Sequence, residues 1–316
     1  MKTSNRSESI NLVEIARRFP DDATARAFLE SQRWPNGPVC PHCKGINNAS
    51  PIVANIAKKV RPGLYTCRAE ECGKQFTVTV GTVFEASKVS LSNWLIAWHL
   101  VCASKKGIAA LELQRLLGIG SYRTAWFMLM RIRESMKSGS FDGSPLKGTV
   151  EADAMFIGNN GRRTAKGKHT KKAAVLVLVQ REGEARSVVV QGENVASVAP
   201  VLAANVDPSA ALMTDGAHCY KTPGKTLASH SALDHARKEY VRGNAHTGSA
   251  EAFIGLVKRG QYGVFHSISP KYLGRYMVEF DYRFSRRHTS DGGRTLRGLS
   301  TMGGKRLKLN DLKAAG

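Results

Sequence analysis

Four acidic residues lie in segments where a carboxylate could bind a metal ion. Glu151 and Asp153 stand in the apolar stretch VEADAMFIG, Asp215 ends the stretch ALMTD, and Glu251 opens the segment EAFIGLVKRG. Hard cations such as Mg²⁺ and Mn²⁺ take oxygen ligands, and two such ions can stabilise both the attacking and the leaving oxygen of an in-line phosphoryl displacement. Taken singly, each acid could instead be a turn residue, a helix N-terminal charge or part of an exposed strand face.

The segments around these acids predict an α/β core that would bring them together. Strand patterns occur in GTVEADAMFIG, KKAAVLVLVQ, ARSVVVQG and ALMTDG, and a helix pattern, ENVASVAPVLAANV, lies between the last two. Three adjacent strands, followed by a helix that crosses over to a fourth, give the strand order of a ribonuclease H-like mixed sheet with helices. A short further strand is expected near residues 239–241, and a last helix is expected to begin around Ser249.

The predicted elements give each acid a position. Asp153 would lie within the first strand, Asp215 at the carboxyl end of the fourth, and Glu251 in the first turn of the last helix, so the three could converge where the central strands open. Side chains alternate across a strand, which puts Glu151, Asp153 and Met155 on one face. Lys258 follows Glu251 by two helical turns on the same face, where its ammonium group could hold a phosphate.

The charge of the chain predicts a polyanionic partner. Lys and Arg number 47 against 25 Asp and Glu, which gives a formal net charge of +22 and a pI near 10. Nucleic acid is the leading interpretation, with an anionic membrane surface or an acidic protein as the alternatives. No apolar run approaches the roughly 20 residues of a membrane span, and the N-terminus has no signal-peptide core, so a cytoplasmic protein is expected.

Four of the six cysteines form a metal-binding pattern. Cys40 and Cys43 make a CxxC pair, and Cys67 and Cys72 make a CxxxxC pair further along the chain. Two short loops that each present two thiolates give Zn²⁺ a closed tetrahedral shell of four sulfurs. A redox dithiol is the alternative, but a second pair at this spacing argues against it. We therefore predict one structural Zn²⁺ in a small zinc ribbon.

A helical region is predicted to follow the ribbon. LSNWLIAWHLVCASKKG has an apolar helical face, and GIAALELQRLLGIGSYRTAWFMLMRIRESM predicts two helices joined by a short turn. Gly118 or Gly120 suits the left-handed conformation of that turn, and Ser121 suits the next N-cap. This is helix-turn-helix spacing, in which Arg123 and Thr124 would face a DNA groove; a plain helical bundle is the alternative.

Further basic residues are predicted to contact nucleic acid. Six cations and no acid occupy the segment between Gly158 and Lys172, where a solvated hairpin is the alternative. The complete set of predicted DNA-binding residues is Arg123, Thr124, Arg162, Arg163, Lys166, Lys168, Lys171, Lys172, Arg259, Arg286 and Arg287.

Several blocks of the sequence resemble a known family. They are CPHC with CRAEEC, GTVFEASKVSLSNWLIA, VEADAMFIG, MTDG and the long block from His246 to Arg287. Over about residues 15–290 these are similar to the bacterial insertion-sequence transposases of the ISXO2-like group, which pair an N-terminal zinc ribbon with a DDE catalytic domain. Two positions depart from the usual motifs of that group: Ala154 stands in place of an acid, and Gly248 in place of asparagine.

The resemblance implies a DNA transposase that binds the ends of an insertion sequence and catalyses strand cleavage and transfer. It carries the catalytic triad over to Asp153, Asp215 and Glu251, which would hold two Mg²⁺ or Mn²⁺ ions, with Lys258 as a basic residue of the site. It also implies double-stranded DNA as element end and as target, and a homo-oligomer in the active complex. A non-catalytic zinc-ribbon DNA-binding protein and a nuclease that cleaves without joining are the competing hypotheses.

Changes of pattern and the resemblance together predict six segments. They are an N-terminal helical segment (1–34), the zinc ribbon (35–86), the helix-turn-helix-like region (87–136), a turn-rich linker (137–148), the ribonuclease H-like DDE domain (149–290) and a basic tail (291–316). The Gly-rich start of the tail favours partial disorder.

Overall fold

A computed structural model describes residues 11–53, 60–137, 143–158, 172–233, 237, 239 and 241–314. The chain divides into two compact units. The first comprises Met1–Ser104, Ala110–Ser135 and Thr289–Ala315, and the second comprises Lys105–Ala109, Met136–His288 and Gly316. The predicted N-terminal segment and ribbon, with most of the helical region and of the tail, thus fall within one unit.

The helices and strands follow in chain order. The helices are α1 (Leu12–Arg18), α2 (Asp22–Arg33), α3 (Leu91–Ala103), α4 (Ala110–Leu116), α5 (Tyr122–Met136), α6 (Val195–Asn205), α7 (Lys221–Gly224), α8 (Gly248–Gly260), α9 (Leu273–Ser285), α10 (Asp291–Ser300) and α11 (Leu309–Ala314). The strands are β1 (Ala49–Pro51), β2 (Tyr65–Cys67), β3 (Gln75–Phe76), β4 (Thr149–Ile157), β5 (Ala173–Gln180), β6 (Ala185–Val190), β7 (Ala211–Asp215) and β8 (Ser229–Leu233). None of these helices is long and apolar enough to cross a membrane.

Helix α3 forms the centre of the first unit. Its Trp94 and Trp98 are fully buried and meet Phe84 edge-on, with ring centroids 5.2 and 5.9 Å apart. Helices α1, α2 and α10 pack around it. Aromatic side chains bury large apolar areas, so this cluster contributes strongly to the stability of the unit.

The start of the tail is a helix, which corrects the expectation of partial disorder. Ser290 caps α10 by accepting a hydrogen bond from the amide of Gly293 (3.1 Å). Thr295 meets His99 of α3 (3.2 Å), and the Arg294 side chain donates to the carbonyl oxygen of Cys102 (3.0 Å). The cap and these contacts across the unit offset the low helix propensity of the two glycines that follow Asp291.

The second unit contains a five-stranded mixed sheet in the order β6-β5-β4-β7-β8. Strands β6, β5 and β4 are antiparallel neighbours, whereas β7 pairs parallel with both β4 and β8. This confirms the predicted ribonuclease H-like arrangement. The fifth strand lies at Ser229–Leu233 rather than near residues 239–241, because the half-buried segment SHSAL pairs with the edge of β7.

Helices cover both faces of this sheet. On one face Met155, Val175 and Val177 pack with Phe253 of α8 and Phe280 of α9. On the other face, Ala152 of β4 and Leu176 and Leu178 of β5 pack with Val198 and Leu202 of α6. The alternation predicted for β4 is confirmed, since Met155 and Ala152 lie in different cores.

Candidate functional site

Asp153 and Asp215 lie where β4 and β7 separate. The parallel ladder between the two strands ends at the pair Ala152 and Thr214, so the aspartates are the next residue on each strand. Residues at the same register of neighbouring strands share a face of the sheet. Both aspartates therefore share the face that Met155 buries against α8, and both remain half-buried.

Local hydrogen bonds orient these two carboxylates. Asp153 Oδ1 accepts from the amide of Ala154 (2.7 Å), and Asp215 Oδ1 accepts from the amide of Ala217 (3.1 Å). A charged acceptor strengthens such bonds. One oxygen of each aspartate is thus held by its own strand end.

Glu251 is oriented by the residue that precedes α8. The hydroxyl of Thr247, which is only 2% exposed, donates to Glu251 Oε1 (3.0 Å). Glu251 and Lys258 are both exposed, whereas Phe253 and Val257 of the same helix are buried. The helix therefore presents an acid and a base two turns apart on its exposed side.

Glu151 anchors the N-terminus of α8. Its side chain is 0% exposed, and Oε2 accepts hydrogen bonds from the amides of Ser249 (2.7 Å) and Ala250 (3.0 Å). The side chain of Thr247, the N-cap residue, makes no capping hydrogen bond to the helix. A carboxylate at this end satisfies free amides and favours the positive end of the helix dipole. The buried acid of β4 thus fixes the helix that carries Glu251.

Arg181 completes this anchor. Its Nε donates to Glu151 Oε1 (2.7 Å), while its two terminal nitrogens donate to Asn244 Oδ1 (2.8 Å) and to the carbonyl oxygen of His246 (3.0 Å). The arginine therefore joins β4, its own turn after β5 and the segment that leads into α8. Both oxygens of Glu151 are taken by protein donors, whereas Asp153 is half-exposed at the strand opening.

The oxygen-only donor set of Asp153, Asp215 and Glu251 fits a hard divalent cation in its chemistry. In the part of the chain that the structure describes, the three acids do not form a group whose ligand atoms all lie within 4.8 Å of one another. Like charges repel, and a cation between them would lower the cost of a closer approach.

Glu193 is a further acid of this region, and no pattern in the sequence singled it out. It lies in the loop between β6 and α6, and its pKa is raised first by burial and then by the negative charges of Asp215 and Asp153. Tyr220 is fully buried beside the same charges, which add to the effect of burial in raising its pKa. The Tyr220 hydroxyl has no hydrogen-bond partner among the described residues. Four polar groups, two of them on strands β4 and β7 and two on the segments before α6 and α7, therefore share one electrostatic environment.

The four predicted zinc ligands come together in the first unit. Their Sγ atoms all lie within 4.8 Å of one another, with Cys40 to Cys72 at 3.8 Å and Cys43 to Cys67 at 3.5 Å. A tetrahedral Zn²⁺ about 2.3 Å from each sulfur requires sulfur–sulfur separations of about 3.8 Å. Strands β1, β2 and β3 form an antiparallel ribbon beside this cluster. The geometry fits a structural zinc ion.

Comparison with known families agrees with both regions. Residues 145–285 match the family model described as an ISXO2-like transposase domain, and residues 20–75 match a transposase zinc-ribbon domain. The chain contains an ISXO2-like transposase domain and a transposase zinc-ribbon domain. A similar protein, described as an uncharacterized protein in transposable element ISH50 of Halobacterium salinarum, is 25% identical over 282 residues. That match covers 84% of this chain and 91% of the relative.

The predicted DNA-binding residues of the transposase domain differ in their surroundings. Lys172 and Arg259 are exposed. The Arg287 guanidinium stacks on Phe284 (4.4 Å) and donates to the carbonyl oxygen of Gly183 (2.9 Å), and that of Arg286 lies over Tyr282 (5.5 Å). The remaining predicted residues of this domain lie outside the described residues: Arg162, Arg163, Lys166, Lys168 and Lys171.

The turn between α4 and α5 has the left-handed glycine that the sequence predicted. Gly118 adopts the left-handed conformation (φ 61°), and the amide of Ile119 donates to the carbonyl oxygen of Gln114 (2.9 Å), which closes the end of α4. Arg123 and Thr124 are exposed in the first turn of α5.

We expect Cys40→Ser to abolish zinc binding by the transposase zinc ribbon. Burial disfavours the thiolate form of Cys40. Hydrogen bonds from the amides of Cys43 and His42 and from neighbouring thiols outweigh this effect and lower the pKa of Cys40 to about 7. Metal analysis of the purified chain should find about one zinc ion, lost in the variant, with loss of ribbon structure because binding and folding are coupled. Cys219→Ala, outside the cluster, should keep the metal. A wild-type chain without zinc would contradict the assignment.

Proposed function

We propose that this chain is a DNA transposase that cleaves the ends of an insertion sequence and joins the freed 3′-hydroxyl to target DNA. The observation that supports it most is that Asp153 and Asp215 directly follow the last pair of the ladder between two neighbouring parallel strands, on the sheet face covered by the helix that carries Glu251. Acids at such an opening can act on one bound phosphodiester.

The proposed roles follow from the surroundings of each residue. Asp153, Asp215 and Glu251 would hold two Mg²⁺ or Mn²⁺ ions, which supply Lewis-acid stabilisation of the attacking and leaving oxygens when bound. Thr247 orients the Glu251 carboxylate, and Lys258 would hold a phosphate by charge. Glu151 holds the N-terminus of α8 against β4 through two amide hydrogen bonds.

DNA recognition is assigned to the first unit and to basic residues beside the acids. The zinc ribbon and the start of α5 would bind the element ends, and Lys172 and Arg259 would contact the backbone near the site. The net charge of +22 supports a polyanionic partner. Joining requires two ends, so we propose a homo-oligomer as the active form.

A strand-transfer assay tests the proposal. The purified full-length chain is incubated with Mg²⁺ or Mn²⁺ and a duplex that carries the inverted repeats flanking its gene, with a supercoiled plasmid as target. We expect nicks at the repeat ends and plasmid joined to the labelled 3′ end. Binding without cleavage would instead indicate a non-catalytic DNA-binding protein, an outcome favoured by Ala154 standing in place of an acid. Cleavage without joining would indicate a nuclease.

We expect Thr247→Val to lower the cleavage rate about 10- to 100-fold, the usual effect of removing a residue that orients a metal ligand. Valine keeps the shape of the buried side chain but removes the donor to Glu251 Oε1. The free energy of unfolding should fall by about 1 kcal/mol, the contribution of one hydrogen bond. Single-turnover cleavage and urea unfolding measure the two effects. Thr301→Val, which loses a hydrogen bond to Ser135 in the first unit, is the control and should cleave normally; equal rates in both variants would contradict the role of Thr247.

A further inference from the structure

A cavity of about 450 Å³ opens in the first unit next to the predicted DNA-reading helix. Its walls are the start of α5, the loop 85–89 and the segment 306–309, which meet although they are far apart in sequence. This volume falls in the range of small-ligand sites.

The floor of this cavity is apolar and aromatic. It is lined by Trp94, Phe127, Met128, Leu307 and Leu309. Phe127 is half-buried, and Trp94 is held in place because its Nε1 donates to Ser87 Oγ (2.9 Å). Such a surface can receive the flat face of a base.

The rim of the cavity is cationic. Lys88, Arg123 and Lys308 are exposed around it, and no ion pair of these three is present among the described residues. A fourth cation, Arg306, pairs with Glu85 (3.1 Å), the one acid of the lining. The opening therefore carries excess positive charge, which favours an anion.

Arg131 adds a buried positive charge to the wall. It is 6% exposed, and its guanidinium lies over Phe127 (5.0 Å). Its hydrogen-bond acceptors are carbonyl oxygens, those of Leu307 (3.3 Å) and Glu85, and no carboxylate hydrogen-bonds it within the described residues. Burial lowers the pKa of this side chain. The charge of Glu85 raises the pKa of Arg131 and so opposes the effect of burial, but Glu85 also pairs with Arg306. A buried cation that shares its one nearby anion is costly, and a bound phosphate would offset that cost.

We propose that this cavity binds one unstacked nucleotide of a DNA strand, with the base on the apolar floor and its phosphate at the cationic rim. A nucleotide combines a flat ring with an anion, as do the floor and rim of the cavity. The inference deepens the proposed function, since it names how the transposase would grip its DNA. The tail then becomes part of the DNA-binding surface through Leu307 and Lys308.

Salt-dependent binding of oligodeoxythymidylate to the full-length chain tests the rim. We expect Arg123→Gln and Lys308→Gln each to weaken binding several-fold and to reduce the slope of log affinity against log salt by about 0.7, the value for one phosphate contact on a single strand. Lys225→Gln, an exposed cation of the second unit, is the matched control and should bind as wild type. Rim variants that also bind as wild type would overturn the proposal.

Photo-crosslinking tests the floor. Oligodeoxythymidylate with one 5-iododeoxyuridine should crosslink to the tryptic peptide that runs from Thr124 to Arg131, with fragmentation placing the adduct on Phe127. Phe127→Leu should lose this adduct while keeping most of its affinity, since leucine preserves packing. Adducts confined to other peptides would overturn the proposal. Effective competition by polyglutamate for the crosslink would do so too, because it would indicate an acidic protein as occupant.

These outcomes separate the cavity from catalysis. If the crosslink and the salt effects appear but the wild-type chain cleaves no DNA, the cavity inference stands and the proposed function fails. If the chain transfers strands while the rim variants bind normally, the proposed function stands and the inference fails. Urea unfolding of Phe127→Leu checks its fold, and the exposed rim variants carry the test if it does not fold.

Discussion

Replacing Asp153 with asparagine is expected to lower the rate of strand cleavage by about a thousandfold, with DNA affinity unchanged. A metal ligand contributes several kcal/mol of charge stabilisation, and about 1.4 kcal/mol corresponds to a factor of ten in rate. Asparagine keeps the size of the side chain and an oxygen that can accept from the amide of Ala154. Single-turnover cleavage and a filter-binding assay measure the two quantities.

Two further variants sharpen this prediction. Asp153→Cys should recover part of its activity with Mn²⁺ and little with Mg²⁺, because a thiolate is a softer ligand that the larger transition metal tolerates better. Glu182→Gln removes an exposed acid from the turn between β5 and β6 and should leave cleavage intact. Full activity in Asp153→Asn would show that this aspartate is not a ligand, whatever the function of the chain.

Glu151→Ala is expected to lower the free energy of unfolding of the second unit by about 3–5 kcal/mol. Breaking a buried ion pair leaves an uncompensated charge, here the Arg181 guanidinium, and the amides of Ser249 and Ala250 lose their acceptor. Urea unfolding measures the change. Under native conditions the cleavage rate should fall by more than the loss of folded protein explains, because α8 would no longer hold Glu251 against the sheet.

A double-mutant cycle separates the pair from its surroundings. The double variant Glu151→Leu with Arg181→Met should lose less free energy of unfolding than the two single variants lose together, since neither charge is then left unpaired. Glu151→Gln keeps one acceptor for the helix amides and should lie between wild type and Glu151→Ala in stability. A loss below about 1 kcal/mol in Glu151→Ala would mean that the anchor contributes no more than an ordinary hydrogen bond.

The departures of this chain from the usual motifs bear on the same site. Gly248 lies at the first turn of α8, and a side chain there would meet only His246 Nδ1 at an ordinary contact distance of 3.5 Å. Space therefore does not explain the glycine. Ala154 lies beside Asp153 and pairs with Leu176 of β5, and nothing in the structure explains why an acid is absent there.

Local patterns in the sequence were enough to predict the elements that carry the site. The spacing of the cysteines predicted a cluster whose sulfurs do meet. The periodicity of β4, β5 and α8 predicted the order of the mixed sheet and the exposed face of the last helix. These features follow from neighbouring residues, because side-chain alternation, capping and short loops act over a few positions.

Only the tertiary structure decided what the buried acids do. Glu151 and Asp153 are two residues apart on the same face of β4, but Glu151 meets amides 98 and 99 residues away, whereas Asp153 lies at the strand opening. The raised pKa of Glu193 and the helical structure of α10 likewise depend on residues that are distant in the sequence. Hydrogen bonds and electrostatic fields between remote segments leave no periodic trace in a sequence, so the sequence by itself determined which residues could do chemistry and the fold determined which of them hold the helix in place.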